Sequence, residues 1–145
     1  MNIIVAVDLS AASEKVIEAA HGVAELTGVS VYVLHVVESE PDYTTFAAIP
    51  EVQRKKVAKD FPREYAAVTA LAEKLQDDGL DATALLLRGP AVDTTLKEAD
   101  RLGAGLIVAG THGHTAVYDV LIGSYSAGLI RKSKLPVLVV PVRNS

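Results

Sequence analysis

Ile3-Ile4-Val5-Ala6-Val7-Asp8 opens the chain as an almost purely apolar, β-branched run closed by an acid. A strand with one face in water would alternate apolar and polar residues. This one does not, which suits a strand covered on both faces, as in a parallel sheet. Immediately after it, Val16, Ala19, Ala20, Val23, Ala24 and Leu26 recur at mostly three- and four-residue intervals. That spacing predicts a helix with one apolar face, Ser10 as its N-cap and Gly28 as its stop. Further apolar runs follow at Val31 to Val37, Ala84 to Leu87, Leu106 to Ala109 and Val137 to Val142, the last interrupted by Pro141. A short helix between the third and fourth runs is bounded by Pro90 and Gly103, with Val92, Leu96 and Ala99 on one face. Strands alternating with helices argue for an open α/β sheet of five strands with helices on both faces.

The longest connection, residues 38 to 80, divides at about Pro50. Its first part holds Pro41, Asp42, Tyr43, Thr44, Thr45 and Pro50 without periodicity and reads as a mobile surface excursion. Val57, Phe61, Tyr65, Val68, Ala72 and Leu75 then step at helical spacing, with Pro62 kinking that helix or starting its second half.

Composition narrows the function classes. The 145 residues are 50% hydrophobic and 22% charged, as in a globular domain, and they read as one domain over 1–145. Fourteen Lys and Arg against eighteen Asp and Glu leave a net charge of −4, without the positive surplus that non-specific nucleic-acid binding requires. The absence of cysteine excludes disulfides, zinc ribbons and thiol catalysis. No apolar run reaches the ~18 residues of a membrane span, and Met1 to Asp8 reads as a strand rather than a signal peptide. A cytoplasmic location is expected, with no membrane partner.

In an open α/β sheet, ligands settle beyond the carboxyl ends of the strands where strand order reverses. After the fourth run the sequence reads Gly110-Thr111-His112-Gly113, then Gly123-Ser124-Tyr125-Ser126. Gly110 and Gly113 leave room for a ligand against the main chain. Gly123-Ser124 opens the last helix, where unpaired N–H groups and the helix dipole favour a phosphate. Between Thr111 and Ile122 there is no Lys or Arg, and the P-loop pattern is absent, so Mg²⁺ carried in on the phosphates is the expected charge partner. Arg88 is the nearest cation to suggest, against its reading as a solvated strand-end arginine. Asp8 reads equally as an acceptor for a ribose hydroxyl or base N–H and as an Asx-type cap of the first helix. His35, inside an apolar strand, reads as a satisfied core or strand-end histidine rather than a catalyst. His112 and His114 lack a third ligand, so no metal site is assigned. A GxSxG elbow around Ser126 lacks its first glycine, and no GxGxxG follows the first strand.

The spacing Gly110-x2-Gly113-x9-Gly123-Ser124 resembles the G-x2-G-x9-G-[ST] nucleotide signature of the universal stress protein family. The likeness extends to Ile-Val-Ala-Val-Asp8, Leu34-His35-Val36-Val37, Leu106 to Gly113 and Pro136 to Val140, leaving out only residues 38 to 60. It implies a Rossmann-like, adenine-nucleotide alpha hydrolase-like fold with strand order 3-2-1-4-5 and ATP between strands one and four, in the ATP-binding branch of the family. By position, Ala6, Val7 and Asp8 would border the adenosine and Val36 would meet adenine through its backbone. Gly110, Thr111, His112 and Gly113 would line the phosphate path, and Gly123, Ser124, Tyr125 and Ser126 would hold the phosphates. Gly89-Pro90 departs from the family's Gly-x-Pro, at the loop that would contact ribose. The resemblance further implies homodimers through the last strand, and Val137 to Val142 would otherwise be an exposed sheet edge.

The expected function is therefore an ATP-binding (or ADP- or AMP-binding) stress-response and signalling module, with a downstream protein partner that the sequence does not name. The alternatives are a slow ATP hydrolase or self-phosphorylating protein using Ser124 or Ser126, and a dimeric scaffold without nucleotide. No activated base stands beside the phosphate loop, so no catalytic residue is assigned, with Asp8 and His112 the candidates to test.

Overall fold

The computed structural model describes residues 1–38, 50–111 and 122–142, with the side chains of 50–53 excepted. The order of elements is β1 (Asn2–Ala6), α1 (Ser13–Thr27), β2 (Ser30–Val37), α2 (Pro50–Asp60), α3 (Pro62–Asp77), β3 (Ala82–Arg88), α4 (Ala91–Leu102), β4 (Ala104–Gly110), α5 (Ser124–Lys132) and β5 (Val137–Val140). All pairings are parallel, and the strand order is β3-β2-β1-β4-β5.

The unbroken apolar character of β1 has a direct cause. Ile3, Val5 and Val7 enter one core with α1 and α3, while Ile4 and Ala6 enter a second core with α4 and α5. Ile3, Ile4 and Val5 have no exposed surface. At ~25 cal/mol per Å² of apolar area removed from water, this two-sided burial is the principal stabilisation of a central strand.

Helix boundaries follow local chemistry. Gly28 and Gly103 close α1 and α4 in the left-handed conformation that glycine adopts without a Cβ penalty. Pro62 starts α3 as its first residue, so the long helical stretch is two helices rather than one kinked helix. Arg54 of α2 donates to Glu98 of α4 at 2.6 Å, and Val57 of the same helix is buried in the first core. Helix α2 thus lies against the β3 edge and ties it to the opposite face of the sheet.

Four sequence expectations need correction. Ser10 is not the N-cap of α1; Ala12 holds that position, and the Ser10 hydroxyl instead bonds Asp8. Leu26, assigned to the apolar face, is 89% exposed, because it lies only two residues beyond Ala24 and points off that stripe. Tyr65 is also exposed, and Leu71 takes the buried place beside Val68. Strand β5 ends at Val140, since Pro141 has no N–H to donate, and the Val142 N–H turns to the Thr111 hydroxyl at 3.3 Å. The surface excursion expected before Pro50 falls largely on residues 39–49, outside the described residues.

Candidate nucleotide site

Strand β1 sends the chain to β2 on one side and receives β4 on the other, so the strand order reverses between β1 and β4. Ala6 pairs with Leu34 and with Ala109, which sets Val7 and Asp8 beside the end of β4 at Gly110. The sheet therefore brings the carboxyl ends carrying Ala6 to Asp8, Val36, Gly110 and Thr111 to one rim.

Asp8 holds the turn out of β1. Its Oδ1 accepts from the Ser10 N–H at 2.9 Å, the Ser10 hydroxyl at 2.6 Å and the Ser13 hydroxyl at 3.2 Å. These bonds over-determine a strained turn in which Leu9 adopts φ 66°, a left-handed conformation unfavourable for a bulky residue. Such strain persists where the surroundings impose it, and it gathers at functional sites. Asp8 Oδ2 is different: it is buried and has no hydrogen-bond partner among the described residues. One oxygen thus performs the Asx-type role while the other is an acceptor without a donor.

Ala6 and Val7 are buried. The Val7 main chain is occupied: its N–H bonds Leu34 at 2.9 Å, and its carbonyl faces His35 Nδ1 at 2.8 Å. A carbonyl only accepts, so His35 Nδ1 carries the proton, and this histidine ties β2 to β1. Val36 packs its side chain on the second core, leaving its main chain at the rim. Arg88 sits on the outer strand β3, with β2 and β1 between it and β4, and its guanidinium lies 5.8 Å from the Phe61 ring centroid. It is not a phosphate-end cation.

At the β4 end, Thr111 is a junction. Its N–H bonds Val140 at 3.0 Å, its hydroxyl accepts from Val142, and its carbonyl accepts the Gly123 N–H at 2.6 Å. The last bond closes the neck of the glycine loop and sets Gly123 as the N-cap of α5. His112 and Gly113 lie outside the described residues. The first-turn amides of α5 have no acceptor within the helix. Ser124 is exposed at that turn. Ser126 is buried, and its hydroxyl donates to the Gly110 carbonyl, so it clamps the helix to β4. The Tyr125 side chain turns into the second core and meets Thr95 at 2.7 Å. Burial pushes its phenol up to about 12. Toward a ligand, Tyr125 and Ser126 therefore offer backbone N–H groups.

Sequence reasoning missed Thr95 and Ser13, the buried hydroxyls behind this site. Thr95 carried a usable signal. It falls three residues after Val92 and four before Ala99, a polar residue on the apolar face of α4 that needs a buried partner. Among the described residues, no group of three or more His, Cys, Asp or Glu is placed to hold a metal ion, and no helix is long and apolar enough to cross a membrane.

Comparison with known proteins agrees with this fold. The family model described as "Universal stress protein family" matches residues 1–141. Universal stress protein MJ0577 of Methanocaldococcus jannaschii is 33% identical over 75 residues, a stretch covering 52% of this chain and 46% of that protein. Its solved structure superposes with a TM-score of 0.80 at 25% identity, covering 99% of this chain and 97% of that one. Universal stress protein YxiE of Bacillus subtilis is 28% identical over 142 residues, 94% of this chain and 96% of the relative. The universal stress protein of Archaeoglobus fulgidus, solved in complex with dAMP, has a TM-score of 0.71 at 25% identity over 97% of each chain.

Proposed function

Because the chain belongs to the universal stress protein family, we propose that it binds an adenine nucleotide, ATP foremost, at the rim between β1 and β4 and acts as a nucleotide-dependent stress-response module. The observation that carries this reading is the buried Asp8 Oδ2, which has no hydrogen-bond partner among the described residues. A buried acceptor without a donor costs about 1–3 kcal/mol, which a ribose hydroxyl or base N–H would return on binding. The first turn of α5 supplies the complementary half, since its free amides and dipole suit phosphate oxygens. The dAMP complex of the Archaeoglobus fulgidus relative supports an adenine nucleotide as the class.

By position, Ala6, Val7, Asp8 and Val36 serve the nucleoside end. Gly110, Thr111, His112, Gly113, Gly123, Ser124, Tyr125 and Ser126 serve the phosphate end. Mg²⁺ would be held chiefly by the phosphates themselves, as an ion that keeps much of its water. Of the two serines weighed as phosphoryl acceptors, Ser124 is the better placed, because the Ser126 hydroxyl is committed to Gly110. The proposal includes a cytoplasmic location and a homodimer through the last strand. β5 pairs with β4 alone among the described residues, none of its four residues is buried, and Leu138 is 39% exposed.

Titration calorimetry with Mg-ATP tests the reading. Micromolar binding, about −8 kcal/mol, is expected for the wild type. It should vanish in a folded Gly113→Val, Gly123→Val double variant. A nucleotide-free wild type that does not bind would leave the dimeric scaffold.

A further inference from the structure

Thr95 in α4 is fully buried, and its hydroxyl makes two contacts: to the Ala91 carbonyl at 2.8 Å, one turn back, and to the Tyr125 phenol at 2.7 Å. A threonine hydroxyl has a single proton, and a carbonyl can only accept. The proton of Thr95 therefore goes to Ala91, and Tyr125 must be the donor to Thr95. The direction of the chain is fixed as Tyr125 to Thr95 to Ala91. A phenol is protonated across the physiological range, as this order requires.

Both ends of the chain are first turns of helices. Ala91 is the first residue of α4, directly after Gly89-Pro90, and Tyr125 is the second residue of α5, after its N-cap Gly123. Gly89 has φ 146°, and a Cβ there would stand 2.7 Å from Thr94 Oγ1, so the entry to α4 is itself tightly set. The first turn of α5 is pinned on two sides: by Ser126 to Gly110 of β4, and by Tyr125 to Thr95 of α4. With its proton directed to Thr95, the phenol has none to donate to a ligand. Its effect is on where the neighbouring amides point.

We propose that Thr95 is a positioning residue for the phosphate end of the site, acting through Tyr125 to hold the first-turn amides of α5 in the orientation that phosphate oxygens require. The inference rests on the adenine-nucleotide reading above and concerns how that site distinguishes a nucleotide from a nucleoside. Asp8 and Val36 are on other elements, so adenosine should not sense the strut.

The test compares Thr95→Val, which keeps shape and loses the hydroxyl, with Tyr125→Phe and Thr95→Ser. Mg-ATP is titrated calorimetrically and adenosine by NMR shifts, with folding checked by circular dichroism and thermal melting. Thr95→Val and Tyr125→Phe are expected to weaken Mg-ATP about fivefold, the scale of one hydrogen bond. Adenosine affinity should stay at the wild-type value in Thr95→Val, and Thr95→Ser should restore Mg-ATP binding. Should Thr95→Val not fold, Tyr125→Phe breaks the same bond and carries the same Mg-ATP expectation. Unchanged Mg-ATP affinity, or equal losses for Mg-ATP and adenosine, makes Thr95 a packing residue and overturns the assignment. A wild type that binds adenosine and Mg-ATP equally well overturns it too. A wild type that binds neither ligand overturns the nucleotide reading and the positioning role together.

Discussion

Gly128 of α5 faces Val92 of α4 so closely that a Cβ on the glycine would stand 2.8 Å from Val92 Cγ2. Helix propensity alone says that Gly128→Ala should stabilise α5 by about 1 kcal/mol. The contact says the reverse, because Val92 is β-branched and stiff at χ1 and has little freedom to move aside. Gly128→Ala is expected to destabilise the fold by about 1–3 kcal/mol through overpacking. Adding Val92→Ala should recover part of that loss, measured by urea denaturation. A single variant more stable than the wild type would show that α4 and α5 are not fixed at this distance.

The two oxygens of Asp8 separate by substitution. Asp8→Asn keeps one acceptor oxygen for Ser10 and Ser13 and replaces the other by a donor, so stability should change by less than about 1 kcal/mol. Mg-ATP affinity should fall about tenfold, the loss of a charge-assisted hydrogen bond. Asp8→Ala removes both functions and releases the strained Leu9 turn, at a cost of about 2 kcal/mol in stability. Equal nucleotide affinity in wild type and Asp8→Asn would remove Oδ2 from the binding account.

The sheet was legible because its strands are apolar on both faces, as Ile3 to Val7 shows, and because proline and glycine mark helix ends at Pro62, Pro90, Gly28 and Gly103. The strand order came from family resemblance, since apolar patterning does not say which strand lies beside which. Local competition was not legible: the Ser10 hydroxyl could cap α1 or bond Asp8, and only the geometry of the Leu9 turn decides. The Thr95–Tyr125 bond joins residues 30 apart, beyond the reach of helical periodicity. For the same reason the family resemblance that places Tyr125 at the phosphates carries no sign that its side chain faces the core.

Glu98 ties α2 to α4 through Arg54 and also pairs with Arg101. Burial raises its carboxyl above the ordinary 4.5, with the Arg54 charge opposing. The folded state therefore holds this proton more tightly than the unfolded chain. The contribution is most favourable below about 4.5 and falls as pH rises through the raised pKa. Glu98→Gln should lack this component, so the stability of wild type minus variant should decrease between pH 3.5 and pH 6.5, read from urea midpoints. A difference that increases with pH would mean that the ion pairs outweigh burial.

Tyr125 gives the corresponding alkaline signature. Its phenol is raised from 10 to about 12, so the fold favours the protonated form. The contribution is constant below pH 10 and is lost as pH rises from 10 through 12, up to about 3 kcal/mol in all. Tyr125→Phe removes this titration. At neutral pH the variant should be about 1 kcal/mol less stable, having lost the donor to Thr95 while Thr95 keeps Ala91. Between pH 10 and 12 the wild type should lose that advantage and cross the variant, with lysine deprotonation common to both chains and cancelling in the comparison. Parallel stability curves through pH 12 would show that the phenol is open to solvent and that the strut to α4 is not formed.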